Sequence, residues 1–463
     1  MSASISETAA ITPPSKRAPL WRSGVHVLFT SMVAIVLAVA NNIIIARALG
    51  SAGKGSYDLA LTTAMLLTVA LGLSLPVGVT YVVARGRANL RRLAWQLTGL
   101  AMLFGALATV VLYVLRLTPF ADSFIPPDMG KWAIALIVTA AVLAEIVNYW
   151  RAMLNGRQEI IQANRSDLIS RAGHVLLLLL VIGVMAAQNH RASPALFIAV
   201  YIIALLLANL FFLKPLSPAL QAGRGASGLR EVMAYSFTCY LGNFTQFLNY
   251  RLDVFIVTYF SGVKTLGLYT LAVSLGQMIW LVSKAAATVL LPNVAASQEA
   301  AAANAKRTAQ ITRLAFMISA GSALLLAVFA APLVPWIFGE EFRPSVTPLL
   351  LLLPGIVAFS AANVIASYLA GIGKPQLNLY VALAGVIVTV ALDVLLIPRF
   401  DIAGAAIAST LSYLTSAIFI IWFFMRVSKL AVREILWLTR EDVTLGISLL
   451  RSLFQREKPR ENR

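Results

Sequence analysis

One phrase is written twice in this chain, about 212 residues apart, and each copy straddles the join between two long apolar runs. NIIIARALGSAGKGSYDLA leads from Asn42 through Gly55, Tyr57 and Leu59 to Ala60. DVFIVTYFSGVKTLGLYTLA leads from Asp253 through Gly267, Tyr269 and Leu271 to Ala272. The two align with a single gap in the turn, and each sits at the first helix-to-helix connection of a six-span block. A chain that repeats itself in this way is a duplicated membrane bundle, and paired bundles facing one another place a substrate site between the halves.

The runs themselves set the fold class. With 59% apolar and 12% charged residues, against about 25% charged in an ordinary soluble domain, the 463-residue chain belongs in lipid. A run of roughly 20 apolar residues crosses a bilayer as a helix, and backbone polar groups in lipid need partners within the segment. Twelve such runs begin near His26, Asp58, Leu93, Ala133, Leu168, Pro194, Val232, Leu266, Ile311, Thr347, Gln376 and Gly404. None shows the alternation of a membrane barrel. The expected fold is an all-α integral membrane protein with twelve transmembrane helices in two six-helix lobes. Each lobe holds an even number of spans, so the repeat is parallel, about an axis along the membrane normal. The expected boundaries are a mobile cytoplasmic tail over 1–20, an N-lobe over 21–214, a Gly- and Ser-rich linker over 215–230, a C-lobe over 231–428 and a tail over 429–463. That tail alternates apolar and charged residues at helical spacing, as an interfacial amphipathic helix does. The first apolar run is too long for a cleaved signal peptide.

The net charge of +18 points to orientation. Most of the 37 Lys and Arg residues fall in the even-numbered connections and the two tails, with Arg85, Arg87, Arg91, Arg92, Arg157, Arg165, Lys306 and Arg307 as examples. Read by the positive-inside rule, both termini are cytoplasmic. A solvated basic face that meets anionic lipid accounts for these charges without nucleic acid. The single cysteine, Cys239, has no partner for an intrachain disulfide.

Ionisable groups deep in a span cost about 2.5–3.5 kcal/mol on insertion scales and are the first functional candidates. Four stand out: Glu145 in span four, Arg251 and Asp253 in span seven, and Lys284 in span eight. Cys239, Asn243, Gln246, Tyr250 and Asp253 follow one another at steps of four, three, four and three, which gives span seven a polar face. Thr270, Ser274, Gln277 and Lys284 do the same in span eight, with Trp280 beside them. Two adjacent polar faces suit a hydrated cavity; they also suit interhelical hydrogen bonding within a lobe. Arg251 and Asp253, two residues apart, point to different faces. Asn42 is the repeat counterpart of Asp253. Glu145, with Asn148 and Tyr149 beyond it, is a carboxylate in a low-dielectric setting, suited to carrying a proton or to pairing with Arg151 or Arg171. Gly72 and Pro76 in span two, and Pro354 and Gly355 in span ten, mark bends or close packing.

Other chemistries lack their residues. GSAGKGS resembles a phosphate loop, but Ala48 stands where the motif requires Gly, and Gly55 follows the Lys. His26, His174 and His190 are scattered, so no metal spacing exists, and no nucleophile, base and orienter fall together as a catalytic set.

Three phrases carry a family resemblance: ARALGSAGKGSYDLALT, GLSLPVGVTYVVARG, and LAGIGKPQLNLYVALAGVIVTVALDVLLIPRFDIAGAAIAST across spans ten to twelve. With them the chain resembles the polysaccharide transporter family, which includes the Wzx-type O-antigen flippases and belongs to one superfamily with lipid II flippases and multidrug exporters. The resemblance implies a non-enzymatic flippase in the inner membrane. It would move an undecaprenyl-pyrophosphate-linked oligosaccharide for O-antigen, capsule or exopolysaccharide to the periplasmic leaflet, by alternating access coupled to H+ or Na+. Polysaccharide polymerase and chain-length machinery are the implied protein partners. On that reading Arg251, Lys284, Arg151 and Arg171 are the cations for the pyrophosphate. Asn243, Gln246, Tyr250, Gln277 and Trp280 are the sugar contacts, and Glu145 and Asp253 the ion carriers. A multidrug exporter of the same fold would favour an acidic cavity, whereas two deep cations and two deep anions stand here. A membrane glycan transferase or ligase would need a long periplasmic loop, and the odd-numbered connections are short.

Overall fold

The structure, a computed structural model, describes residues 20–86, 88–188, 192–221, 226–296 and 301–437. Among these residues every regular element is helical. In chain order the α-helices are α1 (Leu20–Leu71), α2 (Leu75–Ala84), α3 (Leu90–Leu115), α4 (Ala133–Gly156), α5 (Ile160–Ala187) and α6 (Pro194–Gln221), then α7 (Leu229–Gln277), α8 (Trp280–Ala296), α9 (Ala301–Phe338), α10 (Val346–Gly371), α11 (Pro375–Ser428) and α12 (Val432–Leu436). Nine of the described helices are long and apolar enough to cross a membrane. Three of them, α1, α7 and α11, fold back at non-helical residues, Gly50, Gly262 and Asp401. Each of these makes two crossings, which resolves nine helices into the twelve expected spans.

The duplication is visible in the backbone. Gly50 lies at φ 66°, ψ −176° and Gly262 at φ 77°, ψ 173°, the same left-handed corner in both copies, which only glycine enters freely. The register Gly50–Gly262, Gly55–Gly267, Tyr57–Tyr269 needs no gap. Carried back along the unbroken first arms it pairs Asp253 with Asn41, which corrects the sequence alignment to Asn42.

Each lobe has its own core. Leu93, Leu97, Met153 and Phe212 are buried in the N-lobe, where α4 packs between α2, α3 and α6. The C-lobe core holds Leu271, Leu352, Ile365 and Phe424, with α10 against α8, α9 and α11. Between the lobes, α7 packs along α1 and α2. Span two is broken at Gly72–Ser74, where Leu73 (φ 49°) and Ser74 (φ 56°) both take left-handed backbone, so the expected bend at Gly72 and Pro76 is a true interruption. Span ten is different: α10 runs unbroken through Pro354, and Gly355 lets the Thr410 backbone come close.

One helix runs past its expected boundary. α6 continues to Gln221 through Pro215 and Pro218, seven residues into the expected linker. The Ser166 hydroxyl donates to the Phe211 carbonyl, which Pro215 leaves free, and the Ser217 hydroxyl does the same for Lys214. Of the expected amphipathic tail, α12 lies against α9; its continuation and the 1–19 tail lie outside the described residues.

Candidate interlobe cleft

The two ends of the interlobe seam differ. One end carries Arg85, Arg91, Arg92 and Arg157 and is here named the basic end; the corners Gly50 and Gly262 mark the opposite end.

The opposite end is zipped by small residues and buried charge. A Cβ on Gly55 would stand 1.7 Å from the Val263 carbonyl oxygen, and one on Gly267 would stand 1.9 Å from that of Ser51. The two contacts are images of each other under the repeat, with bare backbone crossing backbone at the symmetry axis. Around this crossing, Arg47 donates to the Trp336 and Ile337 carbonyls and Ser51 to the Glu341 carboxylate. Lys54, 1% exposed, pairs with Asp58 at 2.6 Å, and Thr270 of the other lobe donates to the same carboxylate oxygen. Phe124 stacks on Phe255 at 4.6 Å.

The basic end holds a cavity of about 730 Å³ between α2, α4 and α7. Tyr81 and Tyr235 stack face to face across the lobes at 4.0 Å, and the Arg85 guanidinium caps the Tyr81 ring at 4.2 Å. Arg151, Asn148 and Asn155 of α4 complete the polar wall. These groups combine planar rings, amides and guanidinium, the recognition chemistry of sugars and phosphate oxyanions.

The sequence candidates scatter around this cleft. Arg151 lines the cavity and is joined to Asp167, which also takes Arg171 at 2.9 Å. Arg171 sits on α5, outside the lining. Because Asp167 holds both arginines, neither neutralises Glu145. That side chain is 5% exposed, faces Asn148 at 3.4 Å and leaves Oε1 without a hydrogen-bond partner among the described residues, against Gly72 at the break in span two. Tyr240, Phe244, Phe247, Arg251 and Phe255 share one face of α7. Tyr240 donates to the Ala70 carbonyl and Phe255 meets Phe124, so Arg251 looks across the seam between two closed points. Lys284, exposed on α8 with its ammonium 5.5 Å from the centre of the Trp280 ring, lies within electrostatic reach of Arg251. Asn243 donates to Ser74 across the lobes at 3.0 Å, and Gln246 Nε2 is buried without a partner among the described residues.

The aromatic sugar candidates are placed differently. Trp280 is 1% exposed and donates to the Ile356 carbonyl at 2.9 Å. It forms a C-lobe aromatic cluster with Tyr250, Phe359 and Tyr413, and Gln277 is half-buried near Tyr413. In this conformation Trp280, Tyr250 and Gln277 serve packing within the C-lobe. Asp253 accepts from the Tyr269 hydroxyl at 2.6 Å, and Tyr269 meets Ser409 at 3.1 Å. Beside them Asp393 of α11 is fully buried with both carboxylate oxygens unpartnered among the described residues, close enough for the two carboxylates to act on one another. No group of three or more acids, His or Cys able to hold a metal occurs among the described residues.

Residues 96–347, more than half of the chain, match the family described as polysaccharide biosynthesis protein. The chain belongs to the polysaccharide biosynthesis protein family. An uncharacterised membrane protein of Methanocaldococcus jannaschii is 19% identical over 340 residues, covering 69% of this chain and 67% of that protein. Among solved structures, a multidrug resistance MATE family transporter of the MOP superfamily, inward-facing, aligns with a TM-score of 0.68 at 15% identity, over 86% of this chain and 95% of that one. The lipid II flippase MurJ, inward closed, aligns with a TM-score of 0.66 at 11% identity, over 93% and 99%. A MOP superfamily transporter from Pyrococcus furiosus gives 0.62 at 16%, over 88% and 95%. The family member is thus a multi-pass membrane protein with the fold of MOP-superfamily transporters.

Proposed function

We propose that this protein flips an undecaprenyl-pyrophosphate-linked oligosaccharide from the cytoplasmic to the periplasmic leaflet of the inner membrane, for synthesis of a surface polysaccharide. The observation that carries the reading is the cavity at the basic end: cationic, amide-lined and walled by stacked tyrosines, while the opposite end is zipped. By the positive-inside rule the basic end is cytoplasmic, so the cavity faces the leaflet on which such a substrate is assembled. Arg85 and Arg151 meet the pyrophosphate first, Asn148, Asn155, Tyr81 and Tyr235 hold sugars, and the polyprenyl chain stays in lipid. Arg251 and Lys284, deeper in the seam, take the charge as the lobes rock. The coupling ion, H+ or Na+, acts on Asp253 with Asp393, on Glu145, or on both. The flipped unit then passes to polymerase and chain-length machinery.

The cavity argues against a cationic-drug exporter, because its charged wall is Arg85 and Arg151. The test is the glycan profile of a deletion strain complemented with wild type, Arg85→Ala, Arg251→Ala or Lys284→Ala at matched expression. The expected result is surface polysaccharide with wild type alone, and the lipid-linked unit held in the cytoplasmic leaflet with the variants. An unchanged glycan profile on deletion, together with new drug sensitivity, overturns the reading.

A further inference from the structure

Away from the cleft, the outer face of the N-lobe carries a second concavity of about 550 Å³ where α3 meets the end of α6. Arg91, Trp95 and Thr98, at steps of four and three, form its α3 wall; Leu213, Ser217 and Leu220 form its α6 wall; the Trp150 ring lies at its floor. The helices place it in depth. Arg91 stands in the first turn of α3, and Ser217 lies on the stretch of α6 that runs past Pro215 into the expected linker. The groove therefore begins at the level of the headgroups at the basic end and descends along Trp95 into the apolar zone.

Its chemistry is graded in the same direction. Arg91 is exposed and has no ion-pair partner among the described residues. Trp95 is 73% exposed, an amphipathic ring at the membrane interface. The Ser217 hydroxyl gives its proton to the Lys214 carbonyl at 2.9 Å, so its oxygen is left to accept. The Trp150 indole N–H is already given to Asn209 at 2.8 Å, which leaves only its apolar ring to the groove. A cation at the rim, an acceptor one step deeper and an apolar channel below match an anionic headgroup that carries a hydroxyl donor above acyl chains.

We infer that this groove is a binding site for an anionic, hydroxyl-bearing glycerophospholipid such as phosphatidylglycerol. Arg91 holds its phosphate, Ser217 accepts from its headgroup hydroxyl, and Trp95, Leu213 and Trp150 cover the first acyl segment. The lipid fixes the basic end of the N-lobe in its leaflet, independently of what the interlobe cleft carries.

The test is native mass spectrometry of the full-length protein released from bilayers with equal parts phosphatidylglycerol, phosphatidylcholine and phosphatidic acid, with undecaprenyl phosphate as competitor. Phosphatidylglycerol should be retained over phosphatidylcholine, and Arg91→Gln should lower that preference roughly fivefold, the factor for one exposed ion pair of about 1 kcal/mol. Ser217→Ala should narrow the preference over phosphatidic acid alone, and Trp95→Ala should weaken all lipids alike. Elution profile and melting curve establish that each variant is folded. Equal retention of phosphatidylglycerol and phosphatidylcholine, an Arg91→Gln preference equal to wild type, or displacement of phosphatidylglycerol by equimolar undecaprenyl phosphate would each overturn the assignment.

Discussion

The crossing of Gly55 and Gly267 gives the sharpest test of how the lobes close. In Gly55→Ala the new Cβ would lie 1.7 Å from the Val263 oxygen, where real Cβ atoms essentially never come under 3.0 Å. The seam must therefore open by about 1.3 Å at its symmetry axis. The partner atom is backbone in the middle of a packed crossing, so no side chain can swing away to relieve it. Overpacking of this kind costs about 1–3 kcal/mol, and here the cost falls only on the conformation in which the opposite end is shut. The open conformation should gain population by between about fivefold and about a hundredfold. Ser51, 0% exposed beside the crossing, is the reporter. In a Cys239→Ser background with Ser51→Cys, reaction with a membrane-impermeant maleimide should quicken by the same factor when Gly55→Ala is added. Gly99→Ala on α3, where a Cβ meets nothing within 4 Å, should leave the rate unchanged. A Gly55→Ala rate within twofold of its parent would refute the claim that bare backbone contact holds this end.

Removing one member of the Lys54–Asp58 pair strands a largely buried charge, a loss of about 3–5 kcal/mol from the closed end. Lys54→Met should therefore speed the same labelling, and adding Asp58→Leu should reverse most of the gain. If the Asp253 and Asp393 site carries the coupling ion, Asp393→Asn should abolish the dependence of flipping on an imposed ion gradient while the protein still folds, because no side-chain partner is lost. A gradient dependence equal to wild type in vesicles would remove Asp393 from the mechanism.

The crossings were legible because a run of about 20 apolar residues has one solution in lipid; the duplication was legible because both corners need a glycine. The site was less so. Helical spacing places residues on a face only while the helix lasts. α7 ends at Gln277 and α8 begins at Trp280, so the stripe from Thr270 to Lys284 runs across a break, and Trp280 falls into the C-lobe core. Asp393, with only Thr389 as a polar neighbour one turn before it, has no polar stripe to mark it in the sequence and lies fully buried beside Asp253. Arg85 reads as one of many charges of the positive-inside rule. Only the stacking of Tyr81 on Tyr235, from opposite lobes, brings it to the cavity wall.

The repeat also shows where the basic end can open. Symmetry supplies two equivalent seams, span two against span seven and span one against span eight. The first is tightly closed: a Cβ on Gly78 would stand 2.3 Å from Ser236 Oγ and 2.4 Å from the Val232 carbonyl oxygen. Across the second, α1 and α8 make little contact among the described residues, and Leu281, Val282 and Lys284 of α8 stand exposed. A substrate whose tail stays in lipid needs a lateral opening, and this structure offers it on the second seam. Locking the first seam should then be harmless. In the Cys239→Ser background, an oxidised Ser74→Cys, Asn243→Cys pair, placed where the two side chains already meet at 3.0 Å, should leave export intact, whereas a cross-linked Asp58→Cys, Thr270→Cys pair at the opposite end should stop it. Export that survives the second lock and fails under the first would mean that the lobes part along span seven instead.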